Sequence, residues 1–200
     1  MMQAASVPKL PTIFVSVAAY CEPHLYLTIH QLFAKAAHPQ RIHVGLVDQS
    51  EHLNPEWLTQ FPVRKNINYV GLSPVDSRGV SWARAIAFSL YNDQDYLLQI
   101  DSHTLFDQGW DELLIQQLLR LQAIHPKPLV STYPPGFRFD AQGRAVADEP
   151  AKSDEIFFIE RDPGSLLTAE RAVLQFRVVR KRAEQPETTH LPGFHVGACF

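Results

Sequence analysis

Tyr96-Leu97-Leu98-Gln99-Ile100-Asp101-Ser102-His103-Thr104-Leu105-Phe106, continued by Gly109-Trp110-Asp111, is the stretch whose reading decides the fold. A short apolar run ends in polar residues, which is the pattern of a strand buried on both faces of a parallel sheet. The turn after it opens a helix over Trp110 to Ile124, with Leu113, Leu114, Gln117, Leu118 and Leu121 on the expected inner face. Residues i and i+2 of a strand share a face, so Asp101 and His103 can hold one divalent cation while Ser102 faces away. A hard-to-borderline cation such as Mn²⁺ suits a carboxylate with an imidazole, and phosphate oxygens can complete its shell. The plainer reading is a turn-capping Asp beside an ordinarily hydrogen-bonded His, since an isolated D-x-H is a common chance pattern.

Working outward, strand and helix patterns alternate. Thr12 to Ala19 reads as a buried first strand, and Pro23 precedes a helix whose face carries Leu25, Ile29, Leu32, Phe33 and Ala36. Arg41 to Val47 reads as the second strand and Pro55 to Phe61 as a short helix. Asn66 to Leu72 reads as the third strand, and Val80 to Leu90 as a helix with Trp82, Ala83, Ile86, Ala87 and Leu90 inward. Asp95 to Ile100 is the fourth strand and Leu129 to Tyr133 the next. Ile156 to Glu160 and Ala172 to Val179 are further strand candidates, the latter with a possible helical start. The alternation indicates an α/β fold with a mostly parallel central sheet flanked by helices. Ligands of such sheets bind beyond the carboxyl ends of the strands, where strand order switches. Tyr20-Cys21-Glu22, Asp48-Gln49 and Asp101-Ser102-His103 all fall at those ends.

The whole chain sets bounds on that reading. Its 200 residues suffice for one sizeable domain, expected over 1–200, with an irregular loop at about 134–154 around Pro134-Pro135, Gly136, Gly143 and Pro150. A composition of 46% apolar and 20% charged residues is that of an ordinary globular protein. The net charge of −3 gives no general attraction to nucleic acid or anionic membrane. Met1 to Thr12 lacks the basic and apolar regions of a secretory signal, and no apolar run reaches membrane-span length. With only Cys21 and Cys199, a disulfide scaffold or structural zinc is not expected, and a cytoplasmic location is. The apolar end Gly197-Ala198-Cys199-Phe200 reads as a chain that stops within a strand, incomplete at its C-terminus.

Each further candidate has a functional and a structural reading. Tyr20 can stack on a flat base or pack on the following helix. Asp48 can accept from a base N–H or a ribose hydroxyl, or it can form a turn with Ser50. Arg84 can fork onto diphosphate oxygens, or it can be a surface arginine on the polar side of a helix. Gly79 before that helix permits a close turn. Trp110 reads as core, and Asp111 as a first-turn acid favoured by the helix dipole. His190 and His195 read as structural or exposed. Arg177 with Arg180-Lys181-Arg182 reads as a solvated basic face.

Several segments together resemble one family. Ile13-Phe14-Val15-Ser16-Val17-Ala18-Ala19-Tyr20 with Thr28-Ile29 and Ala36 is similar to the first βα unit of GT-A glycosyltransferases. Adding Gly45 to Gln49, Ala83-Arg84, the block from Tyr96 to Asp111 and Ser131-Thr132-Tyr133-Pro134-Pro135-Gly136 narrows it to GlcNAc-transferases. That group is typified by the cytoplasmic enzyme acting on hydroxyproline of a ubiquitin-ligase adaptor. Cys21 stands where related sequences commonly carry arginine. The resemblance implies a GT-A fold and a UDP-sugar donor, UDP-GlcNAc. It implies a divalent cation, Mn²⁺ or alternatively Mg²⁺, and transfer to a hydroxyl on protein or saccharide with retention. It implies that Asp101 contacts ribose and metal, that His103 binds metal, and that Arg84 lies near the donor. A non-catalytic or fragmentary nucleotide-sugar-binding domain is the alternative. A nucleotidyltransferase is disfavoured, because the turn Cys21-Glu22-Pro23-His24 has no phosphate-cradling glycine.

Overall fold

A computed structural model describes residues 10–132, 134–148, 155–167, 172–173, 175–182 and 198–199. The chain forms two compact units, Met1–Gln116 with Phe200, and Gln117–Cys199.

The first unit is built on four parallel strands: β1 (Ile13–Tyr20), β2 (Ile42–Gln49), β3 (Ile67–Gly71) and β4 (Tyr96–Asp101). Their order is β3-β2-β1-β4. In β1, Ile13, Phe14, Val15, Val17 and Ala19 are wholly buried, as expected of a central strand covered on both faces. Ala18 of β1 lies opposite Asp101 of β4 and Ala19 opposite Asp48 of β2, so the polar ends of three strands share one edge. The chain moves outward from β1 through β2 to β3 and then returns to the other side of β1. The carboxyl ends of β1 and β4 therefore form the switch point where such sheets bind ligands. The expected α/β class and its mostly parallel, helix-flanked sheet are both borne out.

Helix α1 (Leu25–Ala34) buries Leu25, Thr28, Ile29, Leu32 and Phe33. The segment Pro55–Gln60 is a 3-10 helix capped by Asn54, whose side chain accepts from the Glu56 N–H. Helix α2 (Val80–Phe88) buries Ala83 and Ala87 against Val47, with Val70, Leu72, Trp82 and Ile86 around them. Gly45 of β2 allows this close approach. A Cβ there would lie 2.5 Å from Phe14 Cζ and 2.7 Å from the Ala87 carbonyl oxygen.

Helix α3 (Trp110–Gln122) follows β4, and its buried face meets the expected one at Leu118 and departs from it at Leu113. Trp110, Asp111, Ile115 and Leu118 are buried, whereas Leu113 is 56% exposed. Leucine and isoleucine occur all round this helix, so periodicity alone leaves its rotation open. The rotation is set at its first turn, where Trp110 Nε1 donates to the Leu32 carbonyl at 2.9 Å and Asp111 is drawn into a buried ion pair.

The second unit contains short antiparallel pairs. Strand β5 (Ser131–Thr132) pairs with β12 (Ala198–Cys199). A hairpin joins β6 (Phe137–Phe139) and β7 (Ala145–Ala147). At its turn Asp140 accepts from the N–H groups of Gln142 and Arg144, and Gly143 takes a positive φ of 73°. Strands β8 (Glu155–Arg161) and β11 (Phe176–Arg182) form the longest pair in this unit. Strand β9 (Leu166–Leu167) pairs with β10 (Ala172–Val173), so the segment from Ala172 starts as strand. Arg177 and Arg180 of the basic cluster face Glu160 and Glu155 across the β8–β11 ladder, at 3.4 and 3.7 Å. Among the described residues no helix is long and apolar enough to cross a membrane.

Candidate functional site

The site is assembled within the first unit, at the carboxyl edge of the parallel sheet. β4 ends at Asp101, and Ser102 and His103 lie in a bend beyond it. The strand therefore ends two residues before His103, and a turn, not strand alternation, sets the direction of His103. That turn is closed by hydrogen bonds. Thr104 Oγ1 donates to the Asp101 carbonyl at 2.9 Å, and Thr28 Oγ1 donates to the buried Ser102 carbonyl at 2.8 Å. The Thr104 N–H donates back to Thr28 Oγ1 at 2.9 Å. Thr28 of α1 thus fastens the turn that carries His103.

Asp101 and His103 both remain accessible, with side chains 48% and 56% exposed. Arg84 of α2 donates from Nη2 to Asp101 Oδ1 at 3.0 Å. With the Gln99 amide turned so that its oxygen faces the guanidinium, that oxygen accepts from Arg84 Nε at 2.8 Å and Nη2 at 3.0 Å. Arg84 is therefore oriented by the sheet and is not a free surface arginine. On the other side, His103 Nδ1 lies 2.8 Å from Glu22 Oε2. These pairs leave Asp101 Oδ2 and His103 Nε2 without hydrogen-bond partners among the described residues.

The β1 and β2 ends complete the rim. Tyr20 is 59% exposed, available for stacking. Cys21 takes a left-handed φ of 47° and its N–H donates to the Gln49 carbonyl at 3.1 Å, so the chain turns sharply between Tyr20 and Glu22. Asp48 is buried, with one oxygen accepting from the Ser50 hydroxyl and the other from the Tyr69 hydroxyl at 3.0 Å. Burial first, then the charge and hydrogen bond of Asp48, push the Tyr69 hydroxyl well above the ordinary tyrosine range. Gln49 is buried beside it; its Nε2 donates to the Ala19 carbonyl at 3.0 Å, and its Oε1 has no partner among the described residues. Near the start of α2, the Arg78 guanidinium lies 6.0 Å from the Trp82 ring centroid, and Gly79 takes φ 91° with open space around it.

Asp101 and Arg84 meet at the switch point, His103 follows in the turn against Glu22, and Tyr20 and Asp48 stand on the adjoining strand ends. Asp111 lies elsewhere, wholly buried at the base of α3, in keeping with a structural role. Tyr133, His190 and His195 lie outside the described residues. The sequence placed Glu22 and Gln49 on the rim and Thr28 in the resemblance to the family, without a role for any of them. Glu22 carried the clearest signal, an acid at the end of β1 where the other strand-end acids gather.

The donor set is one carboxylate oxygen and one imidazole nitrogen, both open, beside one guanidinium. No group of three or more His, Cys, Asp or Glu side chains capable of holding a metal is assembled among the described residues. An open carboxylate oxygen and an open imidazole nitrogen are donor types that suit a divalent cation, whose other positions commonly go to phosphate and water.

No curated protein matches the chain significantly. Among solved structures, S. aureus TarS 1-349 in complex with UDP-GlcNAc is similar at 18% identity and a TM-score of 0.48, covering 68% of this chain and 37% of that one. Mannosyltransferase PcManGT from Pyrobaculum calidifontis, in complex with GDP-Man and Mn²⁺, is similar at 17% identity and a TM-score of 0.49. It covers 63% of this chain and 36% of that one, so this chain spans well under half the length of either. The sequence profile named Glycosyltransferase (GlcNAc) matches residues 12–60 and 56–153, more than half of the chain. That span takes in β1 to β4, α1 to α3 and every residue of the rim, and the chain belongs to the Glycosyltransferase (GlcNAc) family.

Proposed function

We propose that this chain supplies the donor-binding part of a metal-dependent transferase moving GlcNAc from UDP-GlcNAc to a hydroxyl acceptor. One observation carries the reading. At the switch point of a parallel sheet, in a chain of a glycosyltransferase family, Asp101 keeps one open oxygen beside the Arg84 guanidinium, and His103, two residues on, keeps one open nitrogen. Asp101 and His103 would hold a divalent cation, Mn²⁺ or Mg²⁺, whose chemistry is Lewis-acid stabilisation of charge on the departing diphosphate.

The chain's own residues have separable tasks. Tyr20, exposed on the rim, stacks on the base, and the β2 end sets the nucleoside edge through Asp48. Because Asp48 already holds Ser50 and Tyr69, its share is to fix that edge or to exchange one of them for a ligand hydroxyl. Asp101 adds a ribose contact. Arg84, anchored by Gln99 and Asp101, offers positive charge that grows in value as negative charge develops on the leaving group. Retention follows from the family resemblance, and it needs no separate protein base if a departing phosphate oxygen takes the acceptor proton. A cytoplasmic setting accords with two cysteines far apart in the chain.

Calorimetry with UDP-GlcNAc, with and without Mn²⁺, followed by a UDP-release assay, tests the reading. Metal-stimulated turnover that His103→Ala abolishes is the expected result. Tight binding without any UDP release would favour a non-catalytic nucleotide-sugar-binding domain, and undiminished turnover in His103→Ala would remove the metal assignment.

A further inference from the structure

We propose that Glu22 is a positioning residue that fixes the tautomer and direction of the His103 ring. The inference rests on the reading above in one respect: it gives His103 a ligand to bind.

The two residues are 81 positions apart in sequence but adjacent in space, because Glu22 follows β1 and His103 follows β4, and those strands are hydrogen-bonded neighbours. The turn at Cys21 sends Glu22 back across the strand ends. Its carboxylate is only 15% exposed and is used at both oxygens. Oε1 accepts from the backbone N–H of His24 at 2.8 Å, which fixes the rotation of the carboxylate. Oε2 then lies 2.8 Å from His103 Nδ1. A carboxylate is only an acceptor, so a neutral imidazole meeting it must carry its proton on Nδ1. The lone pair is thereby left on Nε2, the nitrogen with no partner among the described residues. This is the arrangement in which an outer carboxylate orients a metal-binding histidine and raises its basicity. A carboxylate serving only to cap the turn would need Oε1 and not Oε2.

The test begins with the metal-free protein. Multiple-bond proton–nitrogen NMR, with the His103 signals assigned through His103→Ala, reads which ring nitrogen is protonated at mildly alkaline pH. The expected result is Nδ1–H with a bare Nε2 in the wild type, lost in Glu22→Ala and retained in Glu22→Gln, whose amide oxygen can still accept. An Nε2–H wild type, or a pattern unchanged in Glu22→Ala, overturns the proposal. Titration with Mn²⁺ alone supplies the second arm. Glu22→Ala should weaken binding roughly 10–100-fold, and Glu22→Gln should recover most of that loss. If His103→Ala binds Mn²⁺ as well as the wild type does, the metal reading fails while the tautomer result still judges Glu22. If His103→Ala abolishes binding and Glu22→Ala leaves it unchanged, the role of Glu22 fails and the metal reading survives.

Discussion

Arg41 and Asp111 form a buried ion pair that fastens the start of α3 to the connection between α1 and β2. Arg41 donates to Asp111 Oδ2 from Nε at 2.9 Å and from Nη2 at 2.7 Å, and the two side chains are 5% and 0% exposed. The same carboxylate accepts from the N–H groups of Ala37 at 2.7 Å and His38 at 3.1 Å. Both carboxylate oxygens are thus paired, Oδ1 with the Ala37 N–H and Oδ2 with the His38 N–H and both Arg41 donors. Burial alone would raise the Asp111 pKa, but the Ala37 N–H, the Arg41 guanidinium and the His38 N–H together hold it below the usual carboxylate range.

Asp111→Ala should therefore destabilise the protein by about 3–5 kcal/mol, since it strands the Arg41 charge in the interior. In this size class that corresponds to a fall of roughly 6–20 °C in Tm by calorimetry. The pH sign is also fixed. With the folded pKa depressed, the stabilisation is fully present above the unfolded value of about 3.9 and is lost as pH falls through the lower folded value. Asp111→Asn should flatten that acid limb. A variant with wild-type Tm and acid dependence would show the pair to be energetically idle.

Thr28→Val keeps the shape of the side chain and removes two of the three hydrogen bonds that close the turn after β4. The Ser102 carbonyl and Thr104 N–H lose their partner, at about 1–3 kcal/mol if they stay unsatisfied. Because the turn carries His103, the substitution should weaken Mn²⁺ binding although Thr28 touches no ligand. Isothermal titration with Mn²⁺ and thermal unfolding measure the two effects together. A loss of stability with unchanged Mn²⁺ affinity would show that His103 is positioned by other contacts.

The elements of the first unit were legible because each follows local chemistry. β1 and β4 are apolar runs of strand length, and Pro23, Pro55 and Gly79 mark where helices begin. Asp101, His103, Arg84, Tyr20 and Asp48 were legible as strand-end or helix residues of the right chemistry. What local pattern could not supply were pairings between distant segments. Arg41 and Asp111 are 70 residues apart, and Glu22 and His103 are 81 apart. The direction of His103 was not legible from strand alternation, because β4 ends two residues before it and the bend at Ser102 and His103 takes over. The exposed Leu113 arose from a helix whose apolar residues leave its rotation to be set by Trp110 and Asp111.

Tyr69 should remain protonated through alkaline titration until the protein unfolds. Burial and the neighbouring Asp48 carboxylate raise its pKa, so its contribution to stability is intact below the unfolded tyrosine value of about 10. That contribution is lost as pH rises through the higher folded value. Absorbance of the phenolate band should show one tyrosine missing from the folded-state titration relative to the unfolded chain. Asp48→Asn should restore part of its ionisation, and a titration curve identical in the two proteins would contradict the Asp48 contribution.

If Arg84 serves the donor as proposed, its substitution should separate stability from ligand binding. Its pair with Asp101 is partly exposed on both sides, at 27% and 48%, so solvent screening limits its worth to folding to about 0–1 kcal/mol. Facing a diphosphate, the same guanidinium would make charge-assisted hydrogen bonds that are roughly twice as strong as neutral ones. Arg84→Ala should therefore leave Tm within a few degrees of wild type while weakening UDP-GlcNAc binding at least tenfold, or about 1.4 kcal/mol. Arg84→Lys should not rescue it. A lysine ammonium is a point charge that cannot reproduce the planar fork engaging Gln99 and Asp101 together. Calorimetric titration of the three proteins with UDP-GlcNAc decides the matter. Equal affinities would mean that Arg84 serves the sheet edge alone, whereas full recovery by lysine would mean that charge without geometry suffices.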